Sequence, residues 1–387
     1  MKKLSPPVKI HSAFEKMEIE NSLFELTYKN KYAVWDLCRR EIFMEINRIL
    51  LNKPQNLSYD IRPLDKYKNI FKKIYNQIIL HLIKLKKARI LVVTFRFFKD
   101  KNIKYDFVID PIASELDDIY YLDFANSSLL KSIFFSKVDL PSFKVIRESY
   151  NDIDSLTQNI DQCISKIFNI DFASKNIVNY KLNIFFSGKL FFSDLIEGLK
   201  CQKVIYSDNG SLKCLSYVCK MKKITCFEVQ HGGSPGSIMW TYPDKKKLLL
   251  NKSNCYYPDY FLLWGDYWKK IYNIPSKFLV TGTYHFIDKF DHLDHILFIS
   301  NKSNYVHLSI IAKDIANALP NRKILFKLHP EQFRQYFRIK ADFKIYENVQ
   351  VIANEINDLK LLMDSSDFVT IRSSLAYKAL QSGCRGH

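Results

Sequence analysis

Three short polar stretches carry residue types that could do chemistry. The first, residues 229–236 (VQHGGSPG), runs from an apolar segment into His231, with Gly232 directly behind it. A histidine can take a proton from a hydroxyl group or hydrogen-bond a phosphate, and the glycine lets the backbone approach a ligand closely. The alternative is a glycine-rich turn with an incidental histidine, and this motif alone does not decide between the two.

The second stretch is residues 326–331 (FKLHPE). Lys327 and His329 alternate along a predicted strand and therefore share a face. Pro330 suits the first turn of a following helix, whose N-terminus favours an anion. Together the three residues would form a clamp for a diphosphate or nucleotide. The alternative is a polar strand end before a helix cap.

The third stretch is residues 368–375 (FVTIRSSL), where a predicted buried strand runs into Ser373 and Ser374. Either serine is a natural N-cap, which by itself is the better supported interpretation. The same hydroxyls and the free backbone amides of a helix start also cradle phosphates well. The order and spacing of the three motifs carry more weight than any one of them.

Strands and helices that alternate from about residue 190 onward must position these motifs. The predicted strands are 203–206, 224–229, 260–264, 278–281, 296–300, 323–328, 349–352 and 368–371. The predicted helices are 211–220, 266–274, 305–319, 331–339, 355–363 and 373–381. This alternation is typical of βαβ units in parallel sheets, and ligands bind such sheets at the carboxyl ends of the strands.

The earlier part of the chain is predicted to be mainly helical up to residue 85. The predicted helices there are 32–51 and 66–85, followed by strands at 89–95, 105–109 and 120–124 and a mostly helical segment at 151–186. Residues 288–294 are the expected linker. The fold class is therefore α/β with two tandem Rossmann-like domains, 1–287 and 295–387, and a ligand cleft expected between them.

Composition limits the function classes. The 387 residues are 47% apolar, which suits two domain cores, and neither a membrane-spanning run nor a signal peptide is found, so we expect a cytoplasmic protein. Eight cysteines without metal-binding spacing predict no zinc site or disulfide framework. The net charge of +18, explained in part by AT-rich coding bias, favours anionic membranes, nucleotide phosphates or acidic glycans. Scattered lysines without a recognition motif make nucleic acid a poorer partner.

In their order, residues 230–232 (QHG), 327–330 (KLHP) and 373–374 (SS) resemble the GT-B glycosyltransferases of capsule, teichoic acid and polysialic acid synthesis. The closest resemblance is to capsule polysaccharide and surface-carbohydrate transferases. Three further segments resemble the same group: residues 258–265 (PDYFLLWG), followed by residues 280–283 (VTGT), and residues 33–39 (AVWDLCR). The resemblance is good from about residue 200 to 380 and faint before that.

The resemblance implies a donor site in the second domain. Lys327, His329 and Pro330 would bind the nucleotide of a CMP- or UDP-linked sugar, and Ser373 and Ser374 would hold its phosphate. Gly232 would lie against the ligand beside the QHG histidine.

The resemblance also implies two candidate bases. His231 matches a histidine that is essential in glycerophosphotransferase relatives. Bacterial sialyltransferases use an acidic pair before a glycine, and residues 207–210 (SDNG) match that pattern only in part because Asn209 replaces one acid. Asp208 is therefore the second candidate, with an Asx turn before a helix as its alternative.

The expected function is an inverting, metal-independent glycosyltransferase that moves a sugar from a nucleotide-activated donor to a glycan or lipid-linked acceptor of capsule or lipopolysaccharide. Electrostatic stabilisation of the leaving phosphate could replace a metal ion, no cofactor is implied, and peripheral contact with an anionic inner membrane is expected. A polyol-phosphate (CDP-glycerol type) transferase and a nucleotide-sugar epimerase remain alternatives. A truncated, non-catalytic remnant is another, because only residues 382–387 follow the last predicted helix and the second sheet would have four strands.

Overall fold

A computed structural model describes most of the chain. The described residues are 6–51, 88–94, 98–100, 103–106, 108–123, 153–207, 209–232, 242, 255–282, 293–301, 304–353, 358–371, 373 and 375–387. The chain divides into two compact units, one of residues 1–231 and 235–284, the other of residues 285–387 with 232–234. The predicted helix at 66–85, Asp208, Ser374 and most of the predicted linker lie outside the described residues.

The first unit contains the helices α1 to α7 and the strands β1 to β10 in its described part. The helices are α1 (Pro6–Glu20), α2 (Val34–Leu50), α3 (Asp110–Ala113), α4 (Ile153–Phe168), α5 (Lys175–Leu199), α6 (Asn209–Met221) and α7 (Asp266–Ile271), with a 3₁₀ turn at Leu23–Glu25. The strands are β1 (Thr27–Tyr28), β2 (Tyr32–Ala33), β3 (Ile90–Thr94), β4 (Phe98–Asp100), β5 (Ile103–Tyr105), β6 (Ile119–Asp123), β7 (Lys203–Tyr206), β8 (Thr225–Val229), β9 (Tyr260–Leu263) and β10 (Lys277–Val280).

Six of these strands form one parallel sheet in the order β10-β9-β8-β7-β3-β6. Its strands are short apolar runs, such as the ILVVT sequence of β3, which is typical of a parallel sheet covered on both faces. The strand order reverses between β3 and β7, so the carboxyl ends of those two strands mark the switch point of this sheet.

The second unit is a smaller α/β structure. Its strands are β11 (Ile296–Ile299), β12 (Ile324–Lys327), β13 (Val349–Ile352), β14 (Asp367–Val369) and β15 (Arg385–Gly386). Its helices are α8 (Tyr305–Ala318), α9 (Tyr336–Asp342), α10 (Asp358–Met363) and α11 (Leu375–Ser382), with a 3₁₀ helix at Pro330–Gln335. The strands are all parallel, in the order β13-β12-β11-β14-β15.

Helices cover both faces of this second sheet. On one face, Phe298 and Phe326 pack against α8 and α9 through Leu308, Ile339 and Phe343. The other face packs against α10 and α11, through a cluster of Leu297, Ile299, Leu325, Leu361, Leu362, Phe368 and Ala379. The alternation of residues along each strand divides the two cores. Both units are therefore Rossmann-like α/β folds, as the sequence predicts.

Most predicted strands are confirmed. Those at 203–206 and 349–352 match to the residue, and the others predicted after residue 190 match within one or two residues. The predicted helix at 32–51 corresponds to α2. In the described part of the chain, no helix has the length and apolar character needed to cross a membrane.

The predicted strand at 105–109 is wrong. Strand β5 ends at Tyr105, and α3 begins at Asp110. The carboxylate of Asp106 accepts hydrogen bonds from the backbone N–H groups of Val108 and Ile109, at 2.9 and 3.1 Å. These local bonds take both donors away from a strand ladder and turn the chain.

Two helix predictions need correction. The segment predicted at 151–186 contains two helices, α4 and α5, and the second continues to Leu199. The break occurs because Asn169, with φ at 52°, adopts the left-handed conformation that ends α4. The helix predicted at 331–339 begins as a 3₁₀ helix and becomes α-helical at Tyr336.

The second sheet has a fifth strand where four were predicted. Strand β15 has only two residues, Arg385 and Gly386, and so lacks an apolar pattern that a sequence could reveal. It pairs with β14, and a Cβ atom at Gly386 would lie 2.9 Å from the Phe368 ring. The glycine therefore permits this pairing.

Asp367, at the start of β14, links several elements of the second unit. Its carboxylate accepts hydrogen bonds from Arg322 (2.8 Å), Arg385 (2.9 Å) and the Ser366 hydroxyl (2.8 Å), and His387 Nε2 lies 2.9 Å away. Burial alone would raise the pKa of Asp367, but these hydrogen bonds outweigh it and hold the pKa well below its ordinary value.

We expect Asp367→Asn to destabilise the second unit by roughly 1.5–3 kcal/mol at neutral pH, the usual contribution of hydrogen bonds to a charged group. Because the folded pKa is depressed, this stabilisation is fully present above the unfolded pKa of about 3.9 and is lost as pH falls through the folded value. Hydrogen exchange of the β11 and β14 amides would measure it. The exposed Asp314→Asn is the control, and a difference between parent and Asp367→Asn that stays constant below pH ~4 would contradict the assignment.

Candidate functional site

The carboxyl ends of β11 and β14 form the switch point of the second sheet. The strand order reverses between these two strands, and open α/β sheets bind ligands in the crevice that such a reversal leaves. The hydroxyl of Thr370, just after β14, donates to the backbone oxygen of Ile299, at the end of β11, over 2.9 Å. This bond fixes the two strand ends relative to each other.

Two buried polar side chains lie just after β11. Ser300 is 2% exposed and Asn304 is 5% exposed. Within the described ranges, the Ser300 hydroxyl and the Asn304 side-chain nitrogen have no hydrogen-bond partner. A buried polar group without a partner costs about 1–3 kcal/mol, and a ligand in the crevice would relieve that cost.

Asn304 also prepares the start of α8. Its side-chain oxygen accepts from the Asn301 backbone N–H at 3.0 Å, and the Asn301 side-chain oxygen accepts from the Asn304 backbone N–H at 3.1 Å. This reciprocal turn leaves the N-terminus of a 14-residue helix at the switch point, where its dipole favours an anion. Sequence reasoning missed residues 300–304 (SNKSN), although a polar run between a predicted strand and helix is the same signal as in the other motifs.

Lys327 is the last residue of β12, and His329 follows two residues later. Phe326 and Leu328 belong to the core beneath α8 and α9, so alternation puts Lys327 and His329 on the other face. The amine of Lys327 donates to the backbone oxygen of Ala353, just after the neighbouring strand β13. This bond holds the ammonium group at the carboxyl ends of β12 and β13.

His329 is exposed, and the turn around it is well fixed. The buried side chain of Gln332 accepts from the His329 backbone N–H at 3.0 Å. The Gln332 backbone N–H in turn donates to the His329 backbone oxygen at 2.8 Å. Pro330 is the first residue of the 3₁₀ helix that follows.

The Ser373 hydroxyl accepts a hydrogen bond from the backbone N–H of Leu375, the first residue of α11, at 3.2 Å. Ser373 therefore caps the start of α11, the first of the two roles considered for this motif. The N-terminus of α11 follows β14, as α8 follows β11, so both helices begin at the switch point of the sheet. The lysine, the histidine and the serine predicted from sequence thus all lie at the carboxyl edge of one sheet.

His231 and Gly232 follow β8 at the carboxyl edge of the first sheet. The His231 side chain is exposed, and a Cβ atom built on Gly232 would meet nothing within 4 Å. Among the described residues, the glycine therefore leaves space beside the histidine.

Gln230, the first residue of the QHG motif, holds the backbone of this motif in position. It is 1% exposed, and its side-chain oxygen accepts from the Trp264 backbone N–H at 2.9 Å. Its side-chain nitrogen lies 3.3 Å from the Tyr272 hydroxyl. These contacts fasten the end of β8 to the segment after β9, which holds the backbone next to His231 in place.

A buried ionic cluster lies deeper in the first unit, around Asp36 on α2. One carboxylate oxygen accepts from the amine of Lys213 (2.7 Å) and from the hydroxyls of Tyr242 (2.6 Å) and Tyr257 (2.8 Å). The Lys213 amine also donates to the Asp36 backbone oxygen at 2.6 Å. The other carboxylate oxygen has no partner among the residues that the structure describes.

A second buried ion pair joins Arg39 on α2 to Glu18 on α1. Arg39 donates to Glu18 through two nitrogens, and the Trp35 ring nitrogen donates to Glu18 at 2.7 Å. The Arg39 guanidinium also lies 4.4 Å from the centre of the Tyr242 ring. Residues 33–39 (AVWDLCR), which were of interest only for their resemblance, therefore turn two charged side chains, Asp36 and Arg39, and the indole N–H of Trp35 into the interior.

Burial acts on the pKa values in both clusters, although at Arg39 the neighbouring Glu18 carboxylate outweighs it and raises the pKa. Burial lowers the pKa of Lys213 below its ordinary value, although the Asp36 carboxylate acts in the opposite direction. It raises the pKa of Glu18 against the effect of Arg39. Burial and the Asp36 charge raise the pKa of Tyr242 and of Tyr257, so both tyrosines remain hydrogen-bond donors.

The cluster connects residues that precede the QHG motif in the sequence, Asp36 and Lys213, with two tyrosines that follow it. Tyr242 comes ten residues after Gly232, and Tyr257 lies just before β9. Asp36 thus ties α2 and α6 to both of these positions. No group of three metal-ligating side chains occurs among the described residues.

No protein-family model matches the chain, and no curated protein matches it in sequence. Solved structures similar to it include the UDP-GlcNAc 2-epimerase from Methanocaldococcus jannaschii, at 12% identity and a TM-score of 0.44, covering 78% of this chain and 82% of that one. The UDP-GlcNAc 2-epimerase from Neisseria meningitidis has 15% identity and a TM-score of 0.39, covering 72% and 76%. MurG from Acinetobacter baumannii has 10% identity and a TM-score of 0.40, covering 77% and 76%.

Proposed function

We propose that the protein is a glycosyltransferase that moves a sugar from a nucleotide-activated donor to a growing surface polysaccharide of the capsule or lipopolysaccharide type. The observation that supports it most is the switch point of the second sheet. The buried Ser300 hydroxyl and the buried Asn304 side-chain nitrogen lack partners there among the described residues, and Lys327, His329 and Ser373 lie at the same carboxyl edge.

The donor is assigned to the second unit. The ammonium of Lys327 and the N-termini of α8 and α11 supply positive charge for the phosphates. Ser300 and Asn304 provide a hydroxyl and an amide for the nucleotide or its phosphates. The exposed His329 follows β12, the strand next to β11 in the sheet. Fixed donors of this kind stabilise the charge that develops on a leaving nucleotide, which is the task of the site in the transfer step.

Activation of the acceptor is assigned to His231 in the first unit. Its imidazole takes the proton of an acceptor hydroxyl, the acceptor oxygen forms a bond to the anomeric carbon, and the bond from that carbon to the phosphate oxygen breaks. The electron pair of the broken bond leaves with the phosphate, so a single displacement inverts the anomeric centre. Asp208 remains the second candidate base.

The donor site can be tested with a thermal-shift panel of CMP, CDP, UDP and GDP. A nucleotide at about 100 times its dissociation constant should stabilise the protein by about 2.7 kcal/mol. We expect one nucleotide to shift the parent and to shift Lys327→Met and His329→Ala much less. The matched control is Lys323→Met, an exposed lysine at the amino end of the same strand, which should keep the full shift.

The outcome distinguishes the donor classes. A shift with UDP or CMP supports a sugar donor, whereas a shift with CDP alone would favour the polyol-phosphate transferase. A shift that is equal in all three variants, or no shift in a protein that melts cooperatively, would contradict the assigned site.

A further inference from the structure

The second unit carries an exposed apolar and basic surface around α9. Phe337, on this helix, is 83% exposed, and Ile345, in the turn that follows it, is 82% exposed. Most large apolar side chains in this unit belong to one of its two cores. Burying two such side chains would be favourable, and here both are almost fully exposed to water. This exposure indicates a surface that binds a partner.

Four cations surround these two residues. Arg334, Arg338, Lys340 and Lys344 are all exposed and lie within a segment of eleven residues. The acidic residue inside that segment, Asp342, is engaged by the Tyr305 hydroxyl at 2.7 Å. The surface therefore presents positive charge next to exposed apolar side chains.

A groove runs beside this helix. Between α9 and β13 lies a cavity of about 450 Å³, and the residues that line it include Tyr336, Lys340, Phe343, Lys344, Tyr346, Glu347 and Val349. Strand β13 is the edge strand of its sheet, so the groove lies at the outer margin of the unit. Two lysines and one glutamate border the aromatic rings, so the groove keeps a net positive charge that suits a small anionic group attached to an apolar chain.

The apolar surface continues onto α8. Val306 and Ile310, one helical turn apart, are 62% and 54% exposed, and the contact from Tyr305 to Asp342 joins α8 to α9. Both helices cover the same face of the sheet. The exposed apolar residues of the two helices are therefore on one side of the unit.

We propose that this surface, formed by α9, the turn at 343–346 and the exposed side of α8, docks on a bilayer of anionic phospholipids. Phe337 and Ile345 enter the boundary between headgroups and acyl chains, the four cations contact lipid phosphates, and the groove receives a headgroup. This is how amphipathic surfaces bind membranes, by joining apolar burial to electrostatic attraction. A second copy fits less well, because the chain carries a net charge of +18 and the same basic surface would face itself.

The test uses the full chain and vesicles of phosphatidylcholine with about one third phosphatidylglycerol, compared with pure phosphatidylcholine. We expect binding to the anionic vesicles at low salt and its loss at high salt. Phe337→Ser with Ile345→Ser, and separately Lys340→Glu with Lys344→Glu, should each weaken binding by about tenfold or more. Both double variants should keep the nucleotide-induced thermal shift, so this test is independent of the proposed function.

Matched controls come from the same unit. Leu380→Ser removes an apolar side chain that is 56% exposed on α11, and Lys323→Glu with Lys360→Glu reverses two exposed charges away from α9. These controls should bind vesicles more tightly than the test variants. The proposal is overturned if the parent ignores anionic vesicles at low salt, or if test and control variants bind equally. A dimer in solution that dissociates in the Phe337→Ser, Ile345→Ser variant would overturn it in favour of a second copy.

Discussion

Replacing Asp36 with alanine should lower the free energy of unfolding of the first unit by about 3–5 kcal/mol, the usual result of removing one partner from a buried ion pair. The variant leaves the partly buried amine of Lys213 without its carboxylate and takes away the acceptor shared by Tyr242 and Tyr257. The pKa of Lys213 is already lowered by burial, so without Asp36 we expect the amine to be neutral or the site to open.

Tryptophan fluorescence during denaturant unfolding measures this loss selectively. All four tryptophans of the chain, at positions 35, 240, 264 and 268, precede residue 285 and so belong to the first unit. Asp266→Ala removes an exposed aspartate that pairs with Lys269 on the surface, and should change stability by less than about 1 kcal/mol.

A second variant distinguishes the loss of the ion pair from a general destabilisation of α2. Adding Lys213→Met to Asp36→Ala removes the uncompensated charge, so it should recover a large part of the lost stability. A loss below about 1 kcal/mol for Asp36→Ala alone would contradict the role of the cluster.

Replacing His231 with alanine should reduce sugar transfer by about 10²–10⁴-fold, the usual contribution of a general base. Because its side chain is exposed, the same change should leave stability within about 0.5 kcal/mol of the parent. Transfer is measured as label moving from the activated sugar that the thermal-shift panel selects to glycan isolated from producing cells.

The neighbouring Gln230→Ala is the matched contrast to His231→Ala. Its side chain is buried and holds the Trp264 N–H, so we expect a loss of roughly 1–3 kcal/mol in unfolding free energy. If His231→Ala transfers sugar at the parent rate, the histidine is not the base, and Asp208 becomes the residue to test.

The parallel sheets were predictable because each buried strand is a short apolar run bounded by polar residues. The runs at 203–206 and 349–352 predict their strands to the residue. The choice of the motif histidines, lysine and serine as candidates rests on the rule that ligands bind at strand ends. Ser373 shows the limit of that rule, because its capping bond to Leu375 is the local role that any serine at a helix start can have.

The Asp36 cluster could not be predicted from sequence. Its partners Lys213, Tyr242 and Tyr257 lie 177, 206 and 221 residues further along the chain. On α2 itself, an aspartate in the first turn is an ordinary residue beside the helix dipole, and nothing local reveals that it is buried. The strand β15 was missed for a different reason, since two residues carry no periodicity.

The long separations within the Asp36 cluster also set an order of events during synthesis. A ribosome adds about 5–20 residues per second, so the two tyrosines emerge on the order of 10–45 s after Asp36. Until then, α2 holds an aspartate and an arginine that the finished unit buries. Contacts this far apart in the chain form late because closing the intervening loop costs entropy. We therefore expect the helical N-terminal region to stay open to proteases on nascent chains that end before residue 257, and to become resistant only when the second tyrosine has left the ribosome.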